Sequence, residues 1–175
     1  MSFASGSDEA EIPFRICFVC AGNICRSPMA EVVMRQLVER AGLTGKVVST
    51  SAGTGDWHVG EQADERTIAA LAKRGYDGSH HRARQFESAW YGQLDIVVAL
   101  DRSQDRILRS WANDARDHGK IHLLRSFDPE SGGNVDVPDP YYSDDAMFDA
   151  VLGMIERSST ALFRQIEPAI RSSTR

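Results

Sequence analysis

Residues 20–28 read Cys-Ala-Gly-Asn-Ile-Cys-Arg-Ser-Pro, a cysteine followed after five residues by an arginine and a serine. The apolar run Phe14 to Val19 precedes them, and a helical apolar pattern follows. A tight loop entering a helix turns several backbone N–H groups toward one point. The helix N-terminus adds a partial positive charge there. Such a nest takes a dianion, with Ala21, Gly22, Asn23, Ile24 and Cys25 as its lining. Gly22 is expected to supply backbone angles that other residues resist. Arg26 offers a planar fork for two phosphate oxygens, and Pro28 suits the first helical turn. Cys20 lies beneath the centre of the nest, where the field that holds an anion favours thiolate over thiol. Ser27 can donate its hydroxyl to that sulfur. A thiolate under a phosphoryl group is an in-line nucleophile, so the chemistry would be covalent, through a phosphocysteine. Fixed N–H groups and Arg26 complement the charge on the three equatorial oxygens. That scheme needs no metal or other cofactor, and no metal-ligand cluster is evident in the sequence.

Rival readings fail on spacing. A phosphate-binding G-x4-G-K-[ST] loop is absent. Gly53-Thr54-Gly55 starts a dinucleotide-type pattern, but His58 stands at the third glycine position. Cys17-Phe-Val-Cys20 is formally C-x-x-C, yet redox pairs open a helix and Cys17 falls inside the apolar run. A buried structural thiol would explain Cys20 alone but not the surrounding Gly, Asn, Arg and Ser.

A leaving oxygen needs a proton. The candidate donor is Asp139, between Pro138 and Pro140 and followed by Tyr141 and Tyr142. From 128 to 149 the chain holds seven acidic residues and no lysine or arginine. Mutual repulsion is expected to raise carboxyl pKa values there, which suits a general acid. Tyr141, Tyr142 and Trp57 can wall a slot for an aromatic ring. His81 is placed to support the loop through Asn23. Residues 66 to 84 carry five basic residues against Asp77, a face able to receive an acidic phosphopeptide.

The elements that must hold these groups follow from pattern. Strands are expected at Phe14–Val19, Val47–Ser51, Asp95–Leu100 and Ile121–Leu124. A helix face runs Ala30, Val33, Met34, Leu37, Val38, Ala41 and stops at Gly42. Asp64–Arg74 reads as a helix ending at Gly75. Asp101 or Ser103 caps another that carries Ile107, Leu108 and Trp111. A long loop spans 125–144, and a last amphipathic helix follows through Ile166. The alternation β-α-β-α-β-α-β-α implies a small doubly wound α/β domain, a four-stranded parallel sheet with helices on both faces. Its ligand site belongs beyond the carboxyl ends of the strands.

The chain has 175 residues, a net charge of −5 and 42% hydrophobic residues, which fits one globular domain over 13–175 and disfavours a nucleic-acid binder. Residues 1–12, acidic and without an apolar core, read as a flexible N-terminal tail and not as a secretory signal. No apolar run approaches the ~18 residues of a membrane span. Three cysteines disfavour a disulfide scaffold and fit a reducing, cytoplasmic setting.

With both end motifs in hand, the sequence resembles the low-molecular-weight protein tyrosine phosphatases over about residues 14 to 166, most nearly their actinobacterial, mycobacterial-type members. The markers are FVCAGNICRSPMAE, SAGTGDWHVG, HHRARQ, VVALDRS, LLRSFDP and DPYYSDD. The resemblance implies Cys20 as nucleophile, Arg26 as phosphate clamp, Asp139 as general acid and then base, and Ser27 as stabiliser of the departing thiolate. Asn23, Ser51 and His81 would hold the loop. Trp57, Tyr141 and Tyr142 would line the phosphotyrosine slot, with Ala21 and His58 tuning preference. Cys25 matches a second loop cysteine able to bridge the nucleophile under oxidation. The implied substrate is a tyrosine-phosphorylated protein, with inorganic phosphate as product and competing ligand, acted on by a monomer that binds neither nucleic acid nor membrane. Export by a route other than the general secretory one stays open. An N-terminal extension and the extra His80 depart from the pattern. A thioredoxin-coupled arsenate reductase of the same fold is the in-class alternative, but its relay needs cysteines far along the chain and none follows Cys25. A non-catalytic phosphoprotein binder or thiol redox sensor would keep the cup and need no Asp139.

Overall fold

The computed structural model of the chain describes residues 12–173; the expected tail, apart from Ile12, lies outside the described residues. β1 (Phe14–Cys20) passes through the loop 21–25 into α1 (Arg26–Arg40). Then come β2 (Val47–Gly53), α2 (Glu65–Lys73), β3 (Ile96–Ala99), α3 (Arg102–Trp111), α4 (Ala115–Gly119), β4 (Ile121–Leu123) and α5 (Asp145–Ser172). All three pairings are parallel and the strand order is β2-β1-β3-β4.

The period of β1 explains the layering. Ile16, Phe18 and Cys20 face a core built with α1, α2 and α5. Cys17 and Val19 face a second core with Phe86, Tyr91, Leu108 and Ile121. A strand covered on both sides has no polar face to show, hence its unbroken apolar run. Each large side chain so buried contributes roughly 1.5–3 kcal/mol of transfer free energy. α1 closes where Leu43 N–H reaches the Val38 carbonyl at 3.0 Å across Gly42.

The chain leaves β1 toward β2 on one side and enters β3 on the other, so the sheet reverses direction of growth at β1 and β3. Side chains beyond their carboxyl ends open into one crevice. Val137 N–H bonds the Leu100 carbonyl at 2.8 Å and brings the long loop to that crevice.

Several boundaries differ from expectation. β1 and β2 run on to Cys20 and Gly53. Asp95 falls outside β3, and its carboxylate instead accepts the Arg15 N–H at 2.8 Å. Asp101, not Ser103, caps α3 by accepting from Gln104 N–H at 2.9 Å. α4 and the 3-10 turns Ser88–Gln93 and Leu124–Phe127 were not expected, and α5 continues past Ile166 and Pro168. No helix among the described residues is long and apolar enough to cross a membrane.

Candidate active site

Cys20 ends β1 and is almost wholly buried. Ser27 Oγ lies 2.9 Å from its sulfur, and Asn23 N–H points at the same atom from 3.3 Å. Asn23 Nδ2 donates to Ser27 Oγ at 2.7 Å, so the lone Ser27 proton is free to go to the sulfur, nearer than the Ala52 carbonyl at 3.4 Å. Cys20 therefore receives a hydroxyl and an amide proton on its floor. α1 begins at the next turn. Asp64, Asp101, Asp114 and Asp144 cap α2, α3, α4 and α5 with their carboxylates, whereas Cys25 at the start of α1 makes no side-chain cap and no acidic residue lies in the first turn. The orphan N–H groups of α1 are left for an outside anion.

Arg26 is buried. Its Nη1 donates to Asp101 Oδ2 at 2.6 Å and to the Val137 carbonyl at 2.9 Å. Its Nη2 lies 3.9 Å from Asp139 Oδ2. Burial works against the guanidinium charge, but the Cys20 sulfur and the Asp101 carboxylate outweigh it and hold Arg26 above its ordinary value. Cys20, Ala21, Gly22, Ile24, Cys25, Arg26, Trp57, His58, Asp139, Tyr141 and Tyr142 line one cavity of about 360 Å3. The Cys20 thiol, the Arg26 guanidinium and the Asp139 carboxylate thus converge although 119 residues of sequence number separate Cys20 from Asp139. Asn23 is fully buried and is not in the lining.

The loop is held from below. Asn23 Nδ2 also donates to Ser51 Oγ at 3.0 Å, and Asn23 Oδ1 accepts from Arg84 N–H at 3.0 Å. Since a backbone N–H can only donate, that bond fixes which way the amide points. Ser51 Oγ donates onward to Glu31 Oε1 at 3.1 Å. His81 Nε2 lies 2.6 Å from the Asn23 carbonyl, so this nitrogen carries a proton. Burial pushes the His81 pKa below its ordinary 6.5, which keeps the ring neutral. The strained residue is Asn23, at φ 59°, and not Gly22. Gly22 serves otherwise: a Cβ there would come within 3.1 Å of the His58 ring.

The expected repulsion among the acidic residues of 128–149 is a correction. Arg102 from α3 pairs with Asp136 at 3.0 Å, Arg74 with Asp149 at 2.9 Å, and Arg157 approaches Asp128 at 3.7 Å. Hydrogen bonds from Arg102 hold Asp136 below its ordinary value, opposite to the expected direction. The basic stretch 66–84 is likewise engaged internally: Arg66 on Asp64, Arg74 on Asp149 and Glu156, Arg84 on the Ser51 carbonyl.

The family model for low molecular weight phosphotyrosine protein phosphatase matches residues 15–172. The chain belongs to that family. A low molecular weight protein-tyrosine-phosphatase of Streptomyces coelicolor is 53% identical over 158 residues, 90% of this chain and 96% of the relative. Low molecular weight protein-tyrosine phosphatase A of Mycobacterium tuberculosis is 46% identical over 151 residues, 86% of this chain and 90% of the relative. The crystal structure of a protein tyrosine phosphatase from Entamoeba histolytica superposes with a TM-score of 0.84 at 32% identity, over 89% of this chain and 98% of that one.

In this low-molecular-weight phosphatase the aromatic walls differ in freedom. Trp57 is 69% exposed and Tyr142 96%, while Tyr141 is half-buried with its ring edge-on to Tyr142, centroids 4.9 Å apart. The Trp57 ring lies where a Gly55 side chain would be, with a Cβ there 1.9 Å from the ring. His58 Nδ1 is 2.7 Å from Glu61. Sequence reasoning missed Asp101 as the partner of Arg26. Its place just before α3 is legible only as a helix cap, and it serves as both.

Proposed function

We propose that this protein-tyrosine phosphatase works through a phosphocysteine on Cys20. The supporting observation is the Cys20 sulfur on the floor of a cavity that Arg26 and Asp139 also line, with Ser27 Oγ at 2.9 Å. A phosphotyrosine dianion enters, and its equatorial oxygens meet the loop N–H groups and the Arg26 fork. The Cys20 thiolate attacks phosphorus; the P–S bond forms and the bond to the phenolic oxygen breaks. Asp139 passes its proton to that oxygen, and tyrosine leaves. Asp139, now a carboxylate, takes a proton from an entering water. Its oxygen bonds phosphorus, the P–S bond breaks and the thiolate returns under the Ser27 hydroxyl. Asp139 is half exposed, which gives water access for this second step. Inorganic phosphate is the product and a competing ligand.

The substrates are tyrosine-phosphorylated proteins: Trp57, His58, Tyr141 and Tyr142 wall a slot for the ring, and a shorter phosphoserine would not carry phosphorus to its floor. Every group invoked comes from one chain, so a monomer suffices. A reducing, cytoplasmic setting suits the free cysteines Cys17, Cys20 and Cys25. Under peroxide, the Cys20 thiolate takes up an oxygen to become a sulfenic acid, and the Cys25 thiol condenses with it, releasing water and forming a Cys20–Cys25 bridge. Burial holds the Cys25 pKa up at about 12 and keeps it a thiol, while the Cys20 sulfur, with Ser27 Oγ at 2.9 Å and Asn23 N–H at 3.3 Å, is the attacking atom.

The test is hydrolysis of matched phosphotyrosine and phosphoserine peptides with a chelator present. Phosphotyrosine should be favoured by at least about a hundredfold in kcat/KM. Equal rates, or activity abolished by the chelator, would contradict the reading.

A further inference from the structure

The acid loop is gripped twice. On one side the Val137 carbonyl accepts from Arg26 Nη1 at 2.9 Å. On the other the Tyr141 carbonyl accepts from Arg66 Nη2 at 2.9 Å, and the Ser143 carbonyl from Arg66 Nη1 at 3.1 Å. Only Pro138, Asp139 and Pro140 lie between these anchors, with the carboxylate at the midpoint. Ser143 N–H closes a turn on the Pro140 carbonyl at 2.8 Å, and Tyr141 N–H bonds Asp139 Oδ1 at 3.1 Å. The far anchor therefore holds a compact unit that includes the carboxylate itself.

Arg66 is in turn fixed to the nucleophile's loop. Its Nε and Nη2 meet the two oxygens of Asp64 at 3.0 Å each, a bidentate fork. Asp64 N–H donates to the Ile24 carbonyl at 2.8 Å, inside the loop that cradles phosphate. The Arg66 guanidinium also stacks over the Phe148 ring, 4.5 Å from its centroid, which fixes its plane. The path runs from Ile24 through Asp64 and Arg66 to Tyr141 and Ser143. A surface ion pair alone would have little consequence. This one joins two loops whose mutual distance sets the proton transfer.

We propose that Arg66, seated on Asp64, is a positioning residue for leaving-group protonation: it sets the height of Asp139 over the phosphate cradle. The proposal rests on Asp139 being the general acid. It concerns how that acid is aimed and adds no contact to the substrate. A positioned acid gives about 10²–10⁴ in rate, and a displacement near 1 Å forfeits about a hundredfold.

The experiment compares kcat/KM, which reports departure of the leaving group, for an aryl phosphate with a good leaving group and one with a poor leaving group. The enzymes are the parent, Arg66→Ala, Arg66→Lys, Asp64→Asn, Asp139→Ala and the double variant Arg66→Ala/Asp139→Ala. Binding of inorganic phosphate, measured as a shift in melting temperature, checks that each cradle is formed. Arg66→Ala should lower kcat/KM at least about tenfold more for the poor leaving group than for the good one. Arg66→Lys keeps the charge but cannot fork, and should recover less than about a third of that loss. Asp64→Asn should follow Arg66→Ala in direction. In the Asp139→Ala background, Arg66→Ala should have no further leaving-group-dependent effect. Equal losses for both substrates, or an undiminished effect without Asp139, would overturn the positioning role. If Asp139→Ala itself fails to discriminate between leaving groups, the acid assignment falls instead, so the two failures are told apart.

Discussion

Asn23 sits at φ 59° and bonds Ser27, Ser51 and Arg84 through its side chain while its carbonyl accepts a hydrogen bond from His81 Nε2. Left-handed backbone strains most residues but not glycine. Two substitutions therefore separate strain from bonding. Asn23→Gly loses the side-chain bonds with the backbone at ease; Asn23→Ala loses them and keeps the strain. Both should lower turnover of an aryl phosphate at least about tenfold, and thermal melts should find the Ala variant the less stable by ~1 kcal/mol. Equal stability would contradict a strained Asn23. Cys25 is the other residue with a separable role. Cys25→Ala should make inactivation by peroxide irreversible to thiol reductant. The parent should yield a Cys20–Cys25 peptide by mass spectrometry; finding only over-oxidised Cys20 would reject the protective bridge.

At the scale of elements, the end of β2 is pressed against the cradle. A Cβ on Gly53 would lie 2.6 Å from the Ala21 carbonyl oxygen and 3.2 Å from Asn23 N, both backbone atoms that cannot rotate away. Gly53→Ala should cost about 1–3 kcal/mol of stability and weaken phosphate binding measured by calorimetry. Gly92→Ala, with open space around its Cβ, is the control and should change neither. An unaffected phosphate affinity in Gly53→Ala would show that β2 does not set the cradle. The main elements were legible because their signals are local: β1 is one apolar run, and α1 shows its face through Val33, Met34 and Val38. α4 and the Ser88–Gln93 turn were not, since so short a segment contains at most two helical periods and draws its stability from neighbours such as Tyr91 on Leu108.

For the whole molecule, charge is organised by tertiary pairing. The seven acidic residues of 128–149 look self-repelling in sequence, but five of them lie against arginines: Arg26 of α1, Arg74 just past α2, Arg102 of α3 and Arg157 of α5. Cys20, Arg26 and Asp139, which the fold brings to one cavity, stand out by residue type and local context, unlike Asp101 and Arg66. Their partners lie 75 positions away, Arg26 for the one and the Tyr141 carbonyl for the other, and leave no mark in local composition. pH dependence belongs at this scale too. Burial depresses the His81 pKa below 6.5, so the unfolded chain binds the proton more tightly, and stability should be full above 6.5 and fall as pH drops through the folded value. His81→Gln should flatten that decline in melting temperature; an unchanged slope would contradict a neutral buried His81. A second decline should come below 3.8. Asp64, Asp117 and Asp136 sit lower in the fold than their ordinary 3.8, so their stabilisation is lost as they protonate.

The central claim concerns a covalent bond, and the most direct test is to catch it. The enzyme, mixed with an aryl phosphate and quenched in acid within a turnover, should carry a phosphoryl group that peptide mapping places on Cys20, and Cys20→Ser should give no turnover. A phosphoryl group on any other side chain, or continued turnover by the serine variant, would contradict the account.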